Sequence, residues 1–167
     1  MYHTVEEFLF HWTYESSETQ KLLNGVTDAS LPQPMYPGGR TLGRLAWHIA
    51  QTVPEMMNQT GLAVGGVDEH APPPSTAAAI AQGYAAATAS LVSEIRSKWT
   101  DASLTTTDPM YGFNWTKAET LSALVSHQIH HRGQLTVLMR QAGLRVPGIY
   151  GPAQEEWQGM GMEPPAV

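Results

Sequence analysis

The run Ser126-His127-Gln128-Ile129-His130-His131-Arg132-Gly133-Gln134 sets His127 and His131 four residues apart. On a helix that spacing leaves the two rings about 40° from one another and one turn apart, within reach of a single metal ion. The chain has seven histidines and no cysteine. Imidazole and carboxylate must therefore carry any metal or acid–base chemistry, and thiolate ligands, disulfides and an enzyme thiol nucleophile are excluded. The pair also reads as two core histidines satisfied by hydrogen bonds. A metal would need at least one further ligand. His3 precedes a helix cap and His70 lies in a loop before three prolines, so both read as exposed. His130 falls about 140° from the apolar stripe of its helix and reads as a surface or interface residue. His11 and His48 remain, each inside a helix. His48 lies about 120° from the centre of its own apolar stripe, beside Arg44, Gln51 and Glu55, which by periodicity alone is a surface position.

Four amphipathic segments position these residues. The first opens on the capping box Thr4-Val5-Glu6-Glu7, carries Val5, Phe8, Leu9, Trp12 and Leu23 on one face, and ends at Asn24-Gly25. The second has the stripe Leu42, Leu45, Ala46, Ile49, Val53, Met56 and Met57, with Pro54 expected to kink it. The third follows Pro72-Pro73-Pro74 with Ser75 as the expected N-cap, and turns Ile80, Tyr84, Ala87, Leu91, Ile95 and Trp99 inward. The fourth starts at a second box, Thr116-Lys117-Ala118-Glu119, and runs to Ala142-Gly143 with the two histidines facing inward. No strand pattern stands out. The reading is all-α, a four-helix bundle with long connections, as a single domain over 1–167. Its core spans about 4–147, and 148–167 is a mostly irregular tail with a short turn near Pro152 to Trp157.

Composition limits the function classes. A formal charge of −6, from nine Lys plus Arg against fifteen Asp plus Glu, repels a phosphate backbone, and no basic cluster offsets it; nucleic acid is not an expected partner. No apolar run reaches the roughly 18 residues a membrane span needs. The first residues lack a basic stretch followed by an apolar core, so a cytoplasmic location is expected.

The stretch from Gly39 to Ala50, Gly-Arg-Thr-Leu-Gly-Arg-Leu-Ala-Trp-His-Ile-Ala, followed by His127-Gln128-Ile129-His130-His131-Arg132-Gly133-Gln134-Leu135 and by Gly143-Leu144-Arg145-Val146-Pro147, resembles the DinB/YfiT-like superfamily, whose members are grouped as metalloenzymes. The likeness extends from about Thr4 to Pro147. It implies an up-down-down-up bundle, often a homodimer, with a divalent metal, usually zinc or nickel, held by His48, His127 and His131. Three imidazoles leave a coordination position open for water or substrate. Members with assigned activities are similar in site and include S-transferases that use low-molecular-weight thiols. With no cysteine in the chain, such a thiol has to arrive as a co-substrate.

Around such a site, Gln134 and Glu55, each seven residues beyond a histidine, are candidates to assist from behind, Glu55 as a general base or else as a solvated carboxylate. Trp12, Tyr14, Trp47, Phe113 and Trp115 are candidates to line an apolar pocket, Trp12 reading rather as core and the loop residues Phe113 and Trp115 as the better choices. Arg44 and Arg132 are candidates for an acidic substrate group, or for surface ion pairs. The expected function is metal-dependent small-molecule chemistry, thiol transfer or hydrolysis. The alternative is a non-catalytic, stress-related metal-binding protein or interaction module, whose ion would be closed off by a fourth protein ligand such as Glu55 or His11.

Overall fold

A computed structural model describes residues 1–166. Each helix begins where a threonine satisfies backbone N–H groups that have no partner within the helix. Thr4 accepts from the Glu7 N–H to start α1 (Val5–Asn24), and the Glu7 carboxylate reaches back to the N–H of His3. Thr41 caps α2 (Leu42–Asn58), which continues through Pro54 although that residue has no N–H to give the Ala50 carbonyl. Thr76, in extended conformation, caps α3 (Ala77–Lys98) by accepting from Ala79; the expected Ser75 cap is therefore displaced by one residue. Thr116 and Glu119 form the reciprocal box that starts α4 (Lys117–Gln141), and Gly143, at φ +73°, turns the chain away from its end.

Between α3 and α4 lies a hairpin that the sequence reading did not anticipate. Strands β1 (Thr107–Met110) and β2 (Phe113–Thr116) pair antiparallel, with Met110 opposite Phe113. Tyr111 and Gly112 form the turn at φ +51° and +85°. Both are left-handed, as a tight type I′ turn requires, because only that twist matches the flanking strands. Four-residue strands, one of them containing Pro109, are too short to show an alternating pattern.

Side-chain contacts fix the direction of every helix. Glu15 meets Arg132 and Gly25 packs on Met139, so α1 and α4 run parallel. His48 meets His131 while Gln128 reaches Ile49 and Thr52, so α2 opposes α4. Gln20 bonds to the Ala81 carbonyl and Glu6 faces Arg96, so α3 opposes α1. The order is up-down-down-up, with the helices arranged α1–α3–α2–α4 around one core. Parallel neighbours need a connection that travels back along the bundle, which accounts for the long segment 59–76 between α2 and α3. That segment rests on α3 at Gly66, where a Cβ would meet the Ala87 nitrogen at 2.5 Å.

The inward faces hold the expected residues: Phe8, Trp12, Ile80, Tyr84, Leu91, Leu121 and Leu135 are at most 1 % exposed. The tail after Gly148 is made of turns and a short 3₁₀ segment, Gln158–Met160. Among the described residues no helix is long and apolar enough to cross a membrane.

Candidate metal centre

His48 from α2 and His127 and His131 from α4 meet at the seam between these two antiparallel helices. Nε2 of His131 lies 3.2 Å from Nε2 of His48 and 3.1 Å from Nε2 of His127. Among the described residues, the group whose ligand atoms all lie within 4.8 Å of one another consists of these three. His11 is spoken for elsewhere, between the Tyr2 hydroxyl at 2.7 Å and the Glu15 carboxylate at 3.2 Å. Neither His11 nor Glu55 closes the group.

Burial and proximity keep these rings neutral. Burial first, then the neighbouring His131 and His127, lowers His48 to about 4, and burial together with His131 and His130 lowers His127 to about 4. His131 is lowered by burial as well, partly opposed by its bond to Gln134. At neutral pH each ring therefore keeps a lone pair to offer. Gln134 sets the tautomer at one of them. Its Oε1 accepts from Nδ1 of His131 at 2.8 Å, which leaves Nε2 of that ring unprotonated and facing the other two. The Gln134 amide is in turn steered by exposed His130, which accepts from its Nε2 at 3.1 Å. His130 thus stands outside the cluster but holds the residue that orients it. Nδ1 of His127 is buried without a partner.

The spacing suits a metal. Tetrahedral coordination with metal–nitrogen bonds of about 2.0–2.1 Å places ligand nitrogens about 3.3 Å apart, close to the separations found. The three ring nitrogens already stand at these separations in the folded chain, so the cluster is preformed.

The seam opens into a cavity of about 470 Å³ lined by His48 and His127, with Arg44, Gln51 and Glu55 from the same face of α2. The stripe that periodicity assigns to solvent is the cavity wall. That corrects the surface position expected for His48: a polar stripe on an amphipathic helix faces either bulk water or a polar cavity, and a helical wheel cannot separate the two.

The hairpin supplies the opposite wall through Tyr111 and Trp115. The Tyr111 hydroxyl lies 2.7 and 3.0 Å from the two Glu55 carboxylate oxygens, and burial together with this carboxylate raises its pKa. Gln51, Gln128 and Tyr111 were not singled out by the sequence. Gln51 is 5 % exposed, and its amide donates to the carbonyls of Asp68, Glu69 and Ala71. Gln128, fully buried, ties α4 to the Ile49 carbonyl on α2 and to the Tyr84 hydroxyl on α3. The Tyr-Gly turn was the available signal for Tyr111; the glutamines offered none beyond their place beside the histidines.

Several other expectations are corrected. Arg132 is 2 % exposed and does not line the cavity. It forms an ion pair with Glu15 at 2.5 Å, donates to the Glu15 carbonyl at 2.8 Å, and meets the Tyr150 hydroxyl. A buried guanidinium needs this full set of acceptors, so it is neither a surface pair nor a pocket residue. Trp47 is buried, with its indole N–H given to the Ala71 carbonyl; Tyr14 reaches the Ile149 carbonyl on another face; Phe113 is 69 % exposed. None of the three lines the cavity, and of the expected aromatics Trp115 does. Trp12 is core, stacked on Phe8.

The chain is 44 % identical to the uncharacterized protein YrdA of Bacillus subtilis (strain 168) over 167 residues, the whole of both chains. A crystal structure of a DinB-like protein from Bacillus cereus ATCC 10987 is 48 % identical and superposes with a TM-score of 0.86, covering 90 % of this chain and all of the other. The DinB-like protein YjoA of Bacillus subtilis shares the fold at 19 % identity, with a TM-score of 0.69 over 88 % of this chain and 99 % of its own. The DinB family profile matches residues 1–165, and with a relative this similar along its full length the chain belongs to the DinB family.

Proposed function

We propose that the protein is a divalent-metal-dependent enzyme acting on a small molecule, by transfer of a low-molecular-weight thiol or by hydrolysis. The observation that carries this reading is the convergence of three neutral imidazoles on one point at the wall of an open cavity. His48, His127 and His131 are the residues that would hold the ion, zinc or nickel by the character of the donors. Such an ion, with a position left open, supplies a Lewis acid that acidifies a bound water or thiol and polarises a substrate.

The chain's own groups would do the rest. Gln134 keeps the His131 lone pair turned inward. Glu55, on the cavity wall with its carboxylate paired to Tyr111, is placed to take a proton from a nucleophile entering the cavity. Trp115 offers an apolar surface to the substrate. A purely bracing metal site would be expected to use a fourth protein ligand; the open cavity beside the cluster favours catalysis instead. The homodimer implied by the family remains part of this reading.

The test is a screen of zinc- and nickel-loaded protein with thiols plus electrophiles and with small esters and amides, alongside a His127→Ala variant. Turnover that needs the metal and disappears in the variant is expected. Equal rates in wild type and variant would overturn the reading.

A further inference from the structure

The chain carries a net charge of −6, yet its cations are unevenly satisfied. Lys21, Arg96, Lys98, Lys117, Arg132 and Arg140 each pair with a carboxylate. Among the described residues, Arg40, Arg44 and Arg145 have no carboxylate within ion-pair distance, and Arg145 is occupied by the Glu155 carbonyl. Of the two that remain, Arg44 lies in the first turn of α2, four residues before His48, whereas Arg40 precedes the Thr41 cap. Arg44 lines the cavity with His48 and His127.

Arg44 is also held in place. Its Nη1 donates to Oε1 of Gln51 at 2.9 Å, and that oxygen can face no other way, because the Gln51 amide nitrogen is fixed by three backbone carbonyls. A neutral buried amide therefore orients the guanidinium without neutralising it, leaving its remaining N–H groups free. Two carboxylate residues, Glu55 and Glu69, also line the cavity. Glu55 is eleven residues along α2 from Arg44, about 16 Å of helix rise, and is bonded to the Tyr111 hydroxyl, while the Glu69 carboxylate lies 3.4 Å from the His70 ring. Along α2 the cavity wall thus runs from cation to carboxylate, with His48 between.

From this arrangement we infer that Arg44 forms a subsite for an oxyanion, a carboxylate or phosphate group on the substrate, beside the histidine cluster. A planar guanidinium with free paired donors matches that chemistry, and among the described residues no carboxylate lies within ion-pair distance of it. The inference deepens the reading of the cavity as a small-molecule site. It fixes one end of the substrate as anionic and leaves the reacting group near the histidines.

The test is NMR titration of the arginine side-chain N–H resonances with succinate, run on metal-free and on zinc-loaded protein, with the neutral diamide succinamide as control. Saturable shifts of Arg44 with succinate in both forms, and none with succinamide, are expected. Arg44→Gln should weaken binding at least tenfold, with Arg145→Gln unchanged. Undiminished binding by Arg44→Gln, or no saturable shift in either form, would overturn the subsite. If zinc fails to bind while the succinate titration behaves as described, the subsite stands and the metal reading falls.

Discussion

Gln134 is the residue through which the histidine cluster is most open to adjustment without being dismantled. Replacing it with alanine removes the acceptor at His131 Nδ1 and frees that ring's tautomer; a 10–100-fold loss of zinc affinity is expected, typical of removing a group that orients a ligand. Competition with a chromophoric chelator measures this, and circular dichroism should show the helices intact. The Glu15–Arg132 pair has a different consequence. Arg132→Met leaves a buried carboxylate without its cation and should cost about 3–5 kcal/mol in urea unfolding. Burial alone would raise the Glu15 carboxyl, but the bonds from Tyr150 and Arg132 outweigh it and hold its pKa below the usual value. A carboxyl lowered in the folded state contributes stability that is present above its unfolded pKa, about 4.3, and is lost as pH falls through the folded value. The urea midpoint should therefore fall below about pH 4 in wild type and fall less in Glu15→Gln. At this scale the sequence was unevenly legible. His127 and His131 announced themselves by spacing along one helix. Arg132 read as a substrate-binding or surface cation because its partner Glu15 is 117 residues earlier, a distance no local pattern spans.

The helices were readable because each has a continuous apolar stripe and two of them open on a Thr-x-x-Glu box, whereas the segments between them follow rules that periodicity does not carry. The hairpin depends on a turn of two left-handed residues, and the segment 59–76 depends on a glycine pressed against a neighbouring backbone. Gly66, at φ +96°, would place a Cβ 2.5 Å from the Ala87 nitrogen and 2.7 Å from the Ala86 carbonyl carbon. Gly66→Ala should accordingly destabilise the fold by about 2–4 kcal/mol, combining backbone strain and overpacking, as read by thermal or denaturant unfolding. α2 shows why one wall of the site stayed hidden. Its apolar face was plain, but Arg44, His48, Gln51 and Glu55 are as polar as any solvated face. The cavity they line exists because the hairpin and the 59–76 segment stand opposite them. The family resemblance, rather than periodicity, brought His48 into the group.

For the whole molecule, the up-down-down-up order brings α2 and α4 together although they are distant in sequence, and so joins His48 to a pair some eighty residues away. A preformed cluster should bind its ion without a folding transition, so the metal adds stability through mass action alone. With free zinc at one hundred times its dissociation constant, about 2.7 kcal/mol is expected, and the melting temperature should rise with zinc concentration. The central claim is that these three histidines hold one divalent ion, and elemental analysis of tag-free protein tests it most directly, with His48→Ala, His127→Ala and His131→Ala compared with wild type. About one ion per chain in wild type and a small fraction of that in each variant is the expected result; equal metal content in wild type and all three variants would contradict it.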